Sequence, residues 1–159
     1  MEGVIAAVPT PVAGDFMPMR APFLEHCNWA LHNGCDGLNI LGSTGEANSF
    51  DTPRRKDVMA WAAEELPKEK LMVGTGTPSL RETIELTAHA DELGYPVALV
   101  LPPYYYKPVD PAGLKSWYLA LHGALGARKI QIYFYNFPQM TGLTIPVDLI
   151  ADLVSLAPG

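Results

Sequence analysis

A glycine loop with two hydroxyl side chains follows a short apolar run early in the chain. The run Leu38–Leu41 leads directly into Gly42-Ser43-Thr44-Gly45-Glu46, named here the hydroxyl loop. Backbone N–H groups in a tight glycine turn, together with Ser and Thr hydroxyls, offer several hydrogen-bond donors at one point. We therefore predict that Gly42, Ser43 and Thr44 bind an anionic group such as a carboxylate or a phosphate.

Other polar side chains follow the remaining apolar runs. If these runs are parallel strands, the side chains meet at the edge where the strands' carboxyl ends lie, which is the catalytic face of a (β/α)8 barrel. The set comprises Thr10, Ser43, Thr44, Thr75, Thr77, Tyr104, Tyr105, Tyr106, Tyr135 and Asn136.

Five apolar runs recur along the chain, each followed by a loop with Gly or Pro and then by an amphipathic stretch. They are Val4–Val8, Gly37–Leu41, Leu71–Gly74, Pro96–Leu101 and Ile130–Tyr135. Runs that are apolar throughout indicate strands buried on both faces, as in a parallel sheet covered by helices. The pattern predicts an α/β fold of five βα units.

Two architectures fit such a series: an open doubly wound sheet and a (β/α)8 barrel. No Gly-x-Gly-x-x-Gly fingerprint follows the first run, where Ala7, Val8 and Pro9 stand, so a dinucleotide site is disfavoured. The clustered polar residues favour the barrel. Because such a barrel takes about 250 residues, we expect residues 1–159 to form a truncated (β/α)8 TIM barrel, from its first strand to its fifth helix.

Capping residues support the helices of this pattern. Asp110 with Pro111, Ser79 with Glu82 in capping-box register, and Thr52-Pro53 each indicate a helix start. Two glycines, Gly34 and Gly94, are placed to end helices in the left-handed conformation. One predicted helix buries Leu114, Trp117, Tyr118 and Leu121, and another buries Val58, Ala62 and Leu66.

Composition excludes several classes of function. A net charge of −6, from 11 basic and 17 acidic residues, gives no footprint for nucleic acid or an anionic membrane. Cys27 and Cys35 are expected to be reduced thiols in buried helix or strand. The four histidines lack i, i+4 pairing, so no metal site is predicted. Without a basic N-terminal region or about 18 consecutive apolar residues, a soluble cytoplasmic protein is expected.

Three motifs in the same order along the chain resemble those of the dihydrodipicolinate synthase and N-acetylneuraminate lyase family. They are the hydroxyl loop, Pro103-Tyr104-Tyr105-Tyr106-Lys107-Pro108, and Tyr135-Asn136-Phe137-Pro138-Gln139-Met140-Thr141-Gly142. The resemblance covers the whole chain. It implies a (β/α)8 barrel that forms a homo-oligomer when full length. It also implies class I aldol chemistry through a lysine imine with pyruvate or another 2-oxo acid, without a cofactor.

The resemblance also implies a role for each motif residue. Ser43 and Thr44 bind the 2-oxo acid carboxylate, Tyr135 transfers protons near the imine, and Tyr105 completes a Thr44–Tyr135–Tyr105 hydroxyl relay across a subunit contact. The chemistry agrees with these residue types, because imine formation requires a proton donor near the carbinolamine and a fixed clamp on the carboxylate.

The chain departs from the family pattern at two points. The imine lysine is expected about 28 residues after Tyr135, beyond residue 159, and the lysines present are predicted to be surface charges. Met140 stands where dihydrodipicolinate synthases carry a carboxylate-binding arginine, which favours sugar-derived 2-oxo acids such as 2-keto-3-deoxy acids. Two alternatives stay open: a non-catalytic half-barrel that binds a ligand, and a dehydratase of the same family acting on a deoxy-oxo-glucarate.

Overall fold

Strands and helices alternate through residues 1–156, the part of the chain that the computed structural model describes. The strands are β1 Ile5–Ala7, β2 Gly37–Ile40, β3 Leu71–Gly74, β4 Val97–Val100 and β5 Gln131–Phe134. The α-helices are α1 Arg20–His32, α2 Thr52–Glu65, α3 Leu80–Leu93, α4 Pro111–Leu125, α5 Pro138–Thr141 and α6 Val147–Leu156. Single 3-10 turns occupy Ala47–Ser49 and Lys68–Lys70. Within residues 1–156, no helix is long and apolar enough to cross a bilayer.

The five strands form one parallel sheet in the order β1-β2-β3-β4-β5. This confirms the predicted βα series, although four of the five apolar runs extend one or two residues beyond the strands. Every residue of β2 and β3 is buried, whereas β1 and β5 are only partly buried. The difference follows from position, since the two outer strands have a neighbour on one side only.

One face of the sheet packs against the helices, and alternate side chains of the strands lie on the other face. Leu38, Ile40 and Val73 belong to the main core beneath the helices and are fully buried. Asn39 and Met72, a register pair, lie on the opposite face because side chains alternate along a strand.

A hydrogen bond joins the chain's amino end to the last strand of the sheet. The amino group of Met1 donates to the Tyr133 hydroxyl on β5 at 3.3 Å. The Met1 side chain also packs against Gly37 at the start of β2. The amino-terminal segment therefore reaches from the start of β2 to β5.

Short polar side chains cap the amino ends of three helices. The carboxylate of Asp110 accepts from the N–H of Ala112, and the Ser79 hydroxyl accepts from the N–H of Glu82. The predicted capping box is only half right, because the Glu82 carboxylate accepts from the Thr52 hydroxyl at 2.5 Å and links α3 to α2 instead. Asp51 supplies the cap of α2, one residue before the predicted start.

The helix ends agree with the sequence prediction at two glycines, whereas two connecting segments differ from it. Gly34 and Gly94 adopt φ values of 98° and 89°, as predicted for glycines that end helices. Cys27 is buried in α1, but Cys35 is only partly buried and lies in the turn before β2, because α1 ends at His32. The structure also adds α5, a single helical turn that the sequence did not predict, between β5 and α6.

Candidate active site

A cavity of about 200 Å³ opens at the carboxyl ends of strands β2 to β5. Pockets for drug-sized ligands measure about 300–1,000 Å³, so this volume suits a small metabolite. The loops after four different strands form its wall, which is the arrangement of a barrel's catalytic face. The lining comprises Leu41, Gly42, Ser43, Glu46, Ala47, Asn48, Ser49, Gly74, Gly76, Leu99, Leu101, Tyr104, Tyr135, Met140 and Thr141.

Two residues with left-handed backbone bound the hydroxyl loop: Leu41 directly precedes it and Glu46 is its last residue. Leu41 has φ 50° and Glu46 has φ 51°, a conformation that costs a residue other than glycine about 1–3 kcal/mol. Leu41 is 1% exposed, so core packing holds it in place. The Thr10 hydroxyl, three residues after β1, donates to the Gly45 carbonyl at 2.8 Å. Strained backbone that the surrounding structure holds is typical of functional loops.

Two glycines of the cavity wall have no room for a side chain, because a Cβ at either position would meet backbone atoms. A Cβ on Gly74 would collide with the carbonyl oxygen of Leu41, and a Cβ on Gly76 would collide with the backbone nitrogen of Leu101. Glycine at these positions lets the carboxyl end of β3 approach the hydroxyl loop on one side and the segment after β4 on the other. Backbone groups of three neighbouring segments therefore pack closely in the cavity wall.

The structure brings together only part of the predicted site. Gly42, Ser43 and Tyr135 line the same cavity. Thr44 is exposed and is not among the lining residues. Tyr105 also lies outside the lining, with 71% of its surface exposed. Of the two hydroxyl residues predicted on the hydroxyl loop, Ser43 is therefore the one that lines the cavity together with Tyr135.

Tyr135 is positioned by the segment that follows β5. Its ring stacks on Phe137 with centroids 5.3 Å apart, and its N–H donates to the Val100 carbonyl on β4. The Asn136 side chain donates to the Ile145 carbonyl and accepts from the Ile145 N–H, at 3.1 and 3.0 Å. These bonds fix the loop that carries Tyr135, so Asn136 supports the site without lining it.

Thr75 and Thr77, which the sequence grouped with the site residues, have a structural role. Both are buried, and their hydroxyls bond to Thr87 and Thr83 of α3. The Thr77 N–H also donates to the Thr83 hydroxyl at 3.0 Å. The four threonines join the carboxyl end of β3 to α3 and hold the β3 side of the cavity.

Tyr104 lines the cavity although the sequence drew attention to its neighbour Tyr105. It is partly buried, and burial raises the pKa of its hydroxyl while the Arg55 charge acts in the opposite direction. A triple tyrosine motif does not reveal which ring turns inward. That choice depends on how the loop between β4 and α4 packs on the 3-10 turn Ala47–Ser49.

No lysine lines this cavity among the residues that the structure describes. Lys56 and Lys115 form ion pairs with Glu85 and Asp152 at 2.6 and 2.7 Å, on the outer helices. The Lys107 ammonium lies beside Gly142, at the end of α5. Residues 1–156 also contain no group of three or more His, Cys, Asp or Glu side chains placed to hold a metal ion.

Comparison with known proteins gives the family. The model of the dihydrodipicolinate synthetase family matches residues 1–158. The chain belongs to this family. The 4-hydroxy-tetrahydrodipicolinate synthase of Methanothermobacter thermautotrophicus is 34% identical over 157 residues, which are 98% of this chain and 54% of that protein.

Solved structures of similar proteins share the fold. Dihydrodipicolinate synthase from Agrobacterium tumefaciens superimposes with a TM-score of 0.94 at 29% identity, over 99% of this chain and 55% of that one. The 2-keto 3-deoxygluconate aldolase from Picrophilus torridus gives 0.89 at 25% identity, over 97% and 54%. The chain therefore spans about half the length of the proteins it matches. The prediction of five βα units of a (β/α)8 barrel is confirmed.

Proposed function

We propose that residues 1–159 form the 2-oxo-acid-binding part of a class I, imine-forming aldolase or lyase. The observation that supports this proposal is that Ser43 of the hydroxyl loop and Tyr135 line one cavity at the carboxyl ends of the strands. Its small volume supports a ligand of the size of pyruvate or a short 2-oxo acid.

In this proposal the hydroxyl loop clamps the carboxylate of the 2-oxo acid. Gly42 and Ser43 line the cavity and supply the N–H and hydroxyl donors, and Thr44 joins them from the exposed side of the loop. Donors held in advance by strained backbone and by Thr10 need little rearrangement when the ligand arrives. The clamp would turn the 2-oxo carbon towards the attacking amine.

Tyr135 is the proposed proton donor and acceptor for the imine steps. A carbinolamine must lose water, and a phenol close to the reacting carbon can donate the required proton and recover it. Tyr105, exposed and set edge-on to Tyr106 with ring centroids 5.0 Å apart, is proposed to meet a second copy in a homo-oligomer. There it would serve the relay across the subunit contact.

Sugar-derived 2-oxo acids are the proposed substrates. Met140 lines the cavity with 63% of its surface exposed and offers no charge to a second carboxylate. The structural neighbour named as a 2-keto 3-deoxygluconate aldolase supports a 2-keto-3-deoxy acid. A dehydratase acting on a deoxy-oxo-glucarate shares the imine chemistry and differs in the bond that breaks.

The amine of the imine is proposed to come from outside residues 1–159, because no lysine of the described residues lines the cavity. Borohydride trapping with pyruvate tests this directly by mass spectrometry. We expect no adduct on the 159-residue chain. We expect one on a chain completed with the C-terminal part of the Methanothermobacter relative, and an adduct on the 159-residue chain alone would contradict the assignment.

The completed chain also tests the role of Tyr135. Tyr135→Phe should lower turnover by on the order of 10²-fold or more if the phenol performs general acid–base work. Tyr106→Phe is the matched control, since this tyrosine is 79% exposed and does not line the cavity. Equal turnover in the two variants would remove Tyr135 from the mechanism.

A binding module without catalysis is the second candidate, favoured by the absence of a lining lysine among the described residues. It predicts that the 159-residue chain binds pyruvate and that the completed chain neither traps it nor turns it over. Trapping by the completed chain would exclude this candidate.

A further inference from the structure

A buried arginine stands directly behind the cavity wall. Arg55 belongs to α2 and is 3% exposed, among the apolar residues that pack this helix on the sheet. Its terminal nitrogen Nη2 donates to the Gly74 carbonyl at 2.9 Å. Because Gly74 lines the cavity, one hydrogen bond connects this guanidinium to the site.

The Arg55 charge has no ion-pair partner within 4 Å in residues 1–156. The recorded ion pairs belong to other cations, which lie nearer the surface. Its Nε is buried and has no hydrogen-bond partner among the described residues. Burying a charge without a partner is costly, so the site retains positive charge that its own side chains do not fully offset.

A carboxylate and a phenol lie near this guanidinium without forming an ion pair with it. Burial lowers the pKa of Arg55, while the charge of Glu82 acts in the opposite direction. The Glu82 carboxylate is engaged by the Thr52 hydroxyl, and Tyr104 lines the cavity as a neutral phenol whose pKa burial raises. Positive potential therefore remains on the side of the cavity formed by Gly74 and Tyr104.

We propose that Arg55 is a positioning residue that makes the cavity select anions. It holds the Gly74 carbonyl, so that the negative end of this dipole is neutralised, and it supplies positive potential to a carboxylate bound on the hydroxyl loop. This inference rests on the proposed function and adds to it that a ligand's negative charge, more than its shape, decides binding. A local positive charge at the cavity would oppose the chain's overall charge of −6.

The test compares pyruvate with its neutral amide, pyruvamide, by titration calorimetry on the 159-residue chain. Arg55→Met removes the charge with little change in side-chain length. We expect its affinity for pyruvate to fall on the order of tenfold, and its affinity for pyruvamide to change less than about twofold. Arg54→Met is the matched control, since Arg54 is the preceding residue on α2 and its side chain is 43% exposed. Screening by solvent should leave both affinities unchanged in that variant.

If Arg55 had only a structural role, Arg55→Met would lower the affinities for pyruvate and pyruvamide by the same factor, and this result would overturn the proposal. If Arg55→Met does not fold, Arg55→Lys decides, because it keeps the charge and loses the planar donor group. Arg55→Lys should keep the preference for pyruvate within about threefold of the native chain; loss of that preference would also overturn the proposal. Failure of the native chain to bind pyruvate would instead refute the proposed function, and the selectivity with it.

Discussion

Gly74→Ala is a substitution whose loss of folding free energy can be worked out from the structure. The new Cβ would collide with the Leu41 carbonyl oxygen and press against Gly42. Both are backbone groups, so neither can rotate away as a side chain could. Leu41 is already at φ 50° and buried, so relief requires movement of the hydroxyl loop itself. Overpacking of this kind costs about 1–3 kcal/mol, and we expect at least about 2 kcal/mol here.

Urea unfolding followed by tryptophan fluorescence measures this cost. With a denaturant slope of about 2 kcal/mol/M, a loss of about 2 kcal/mol lowers the midpoint by about 1 M. Gly123→Ala is the control of opposite sign, because a Cβ at this exposed position in α4 meets nothing within 4 Å. Alanine there should stabilise the helix by about 0.5–1 kcal/mol. Unfolding of Gly74→Ala at the native midpoint would show that the Cβ is accommodated without strain and would contradict this prediction.

Three further substitutions test other parts of the account. Tyr95→Phe should destabilise by about 1–3 kcal/mol, because the buried Tyr95 hydroxyl donates to the Met59 carbonyl at 2.7 Å; an unchanged urea midpoint would contradict this. Glu46→Asn should raise the melting temperature, since asparagine tolerates the φ of 51° at this position better than glutamate does; a lower melting temperature would show that Glu46 braces the hydroxyl loop. Burial raises the pKa of the Cys27 thiol to about 12, so above about pH 9 the unfolded chain loses a proton that the folded chain keeps. Stability should therefore fall with rising pH, with a slope that approaches about 1.4 kcal/mol per pH unit. Cys27→Ala should remove this part of the slope, and an identical slope in that variant would contradict the assignment.

The sequence predicted the order and type of the main elements because each is encoded locally. Runs such as Leu71–Gly74 are apolar throughout, as strands covered on both faces must be. Asp110 and Ser79 mark helix starts through bonds to N–H groups two or three residues away. The ends of strands and the short α5 were missed because they depend on contacts with distant loops.

The candidate site was predicted less completely. The sequence placed both Ser43 and Thr44 on the hydroxyl loop, but which of them faces the cavity depends on the backbone at Leu41, whose left-handed conformation is held by core packing. The choice between Tyr104 and Tyr105 depends in the same way on tertiary packing. Arg55 did leave a signal, a charged residue on the apolar stripe that also carries Val58 and Ala62.

An NMR titration of the ¹⁵N-labelled 159-residue chain with pyruvate tests the central claim most directly. If the hydroxyl loop and Tyr135 form one site for a 2-oxo acid, the amide signals of Gly42, Ser43 and Tyr135 should shift together along one binding curve. Saturable shifts confined to the opposite end of the sheet, around Gly94 and Arg128, would contradict the account, as would the absence of any shift.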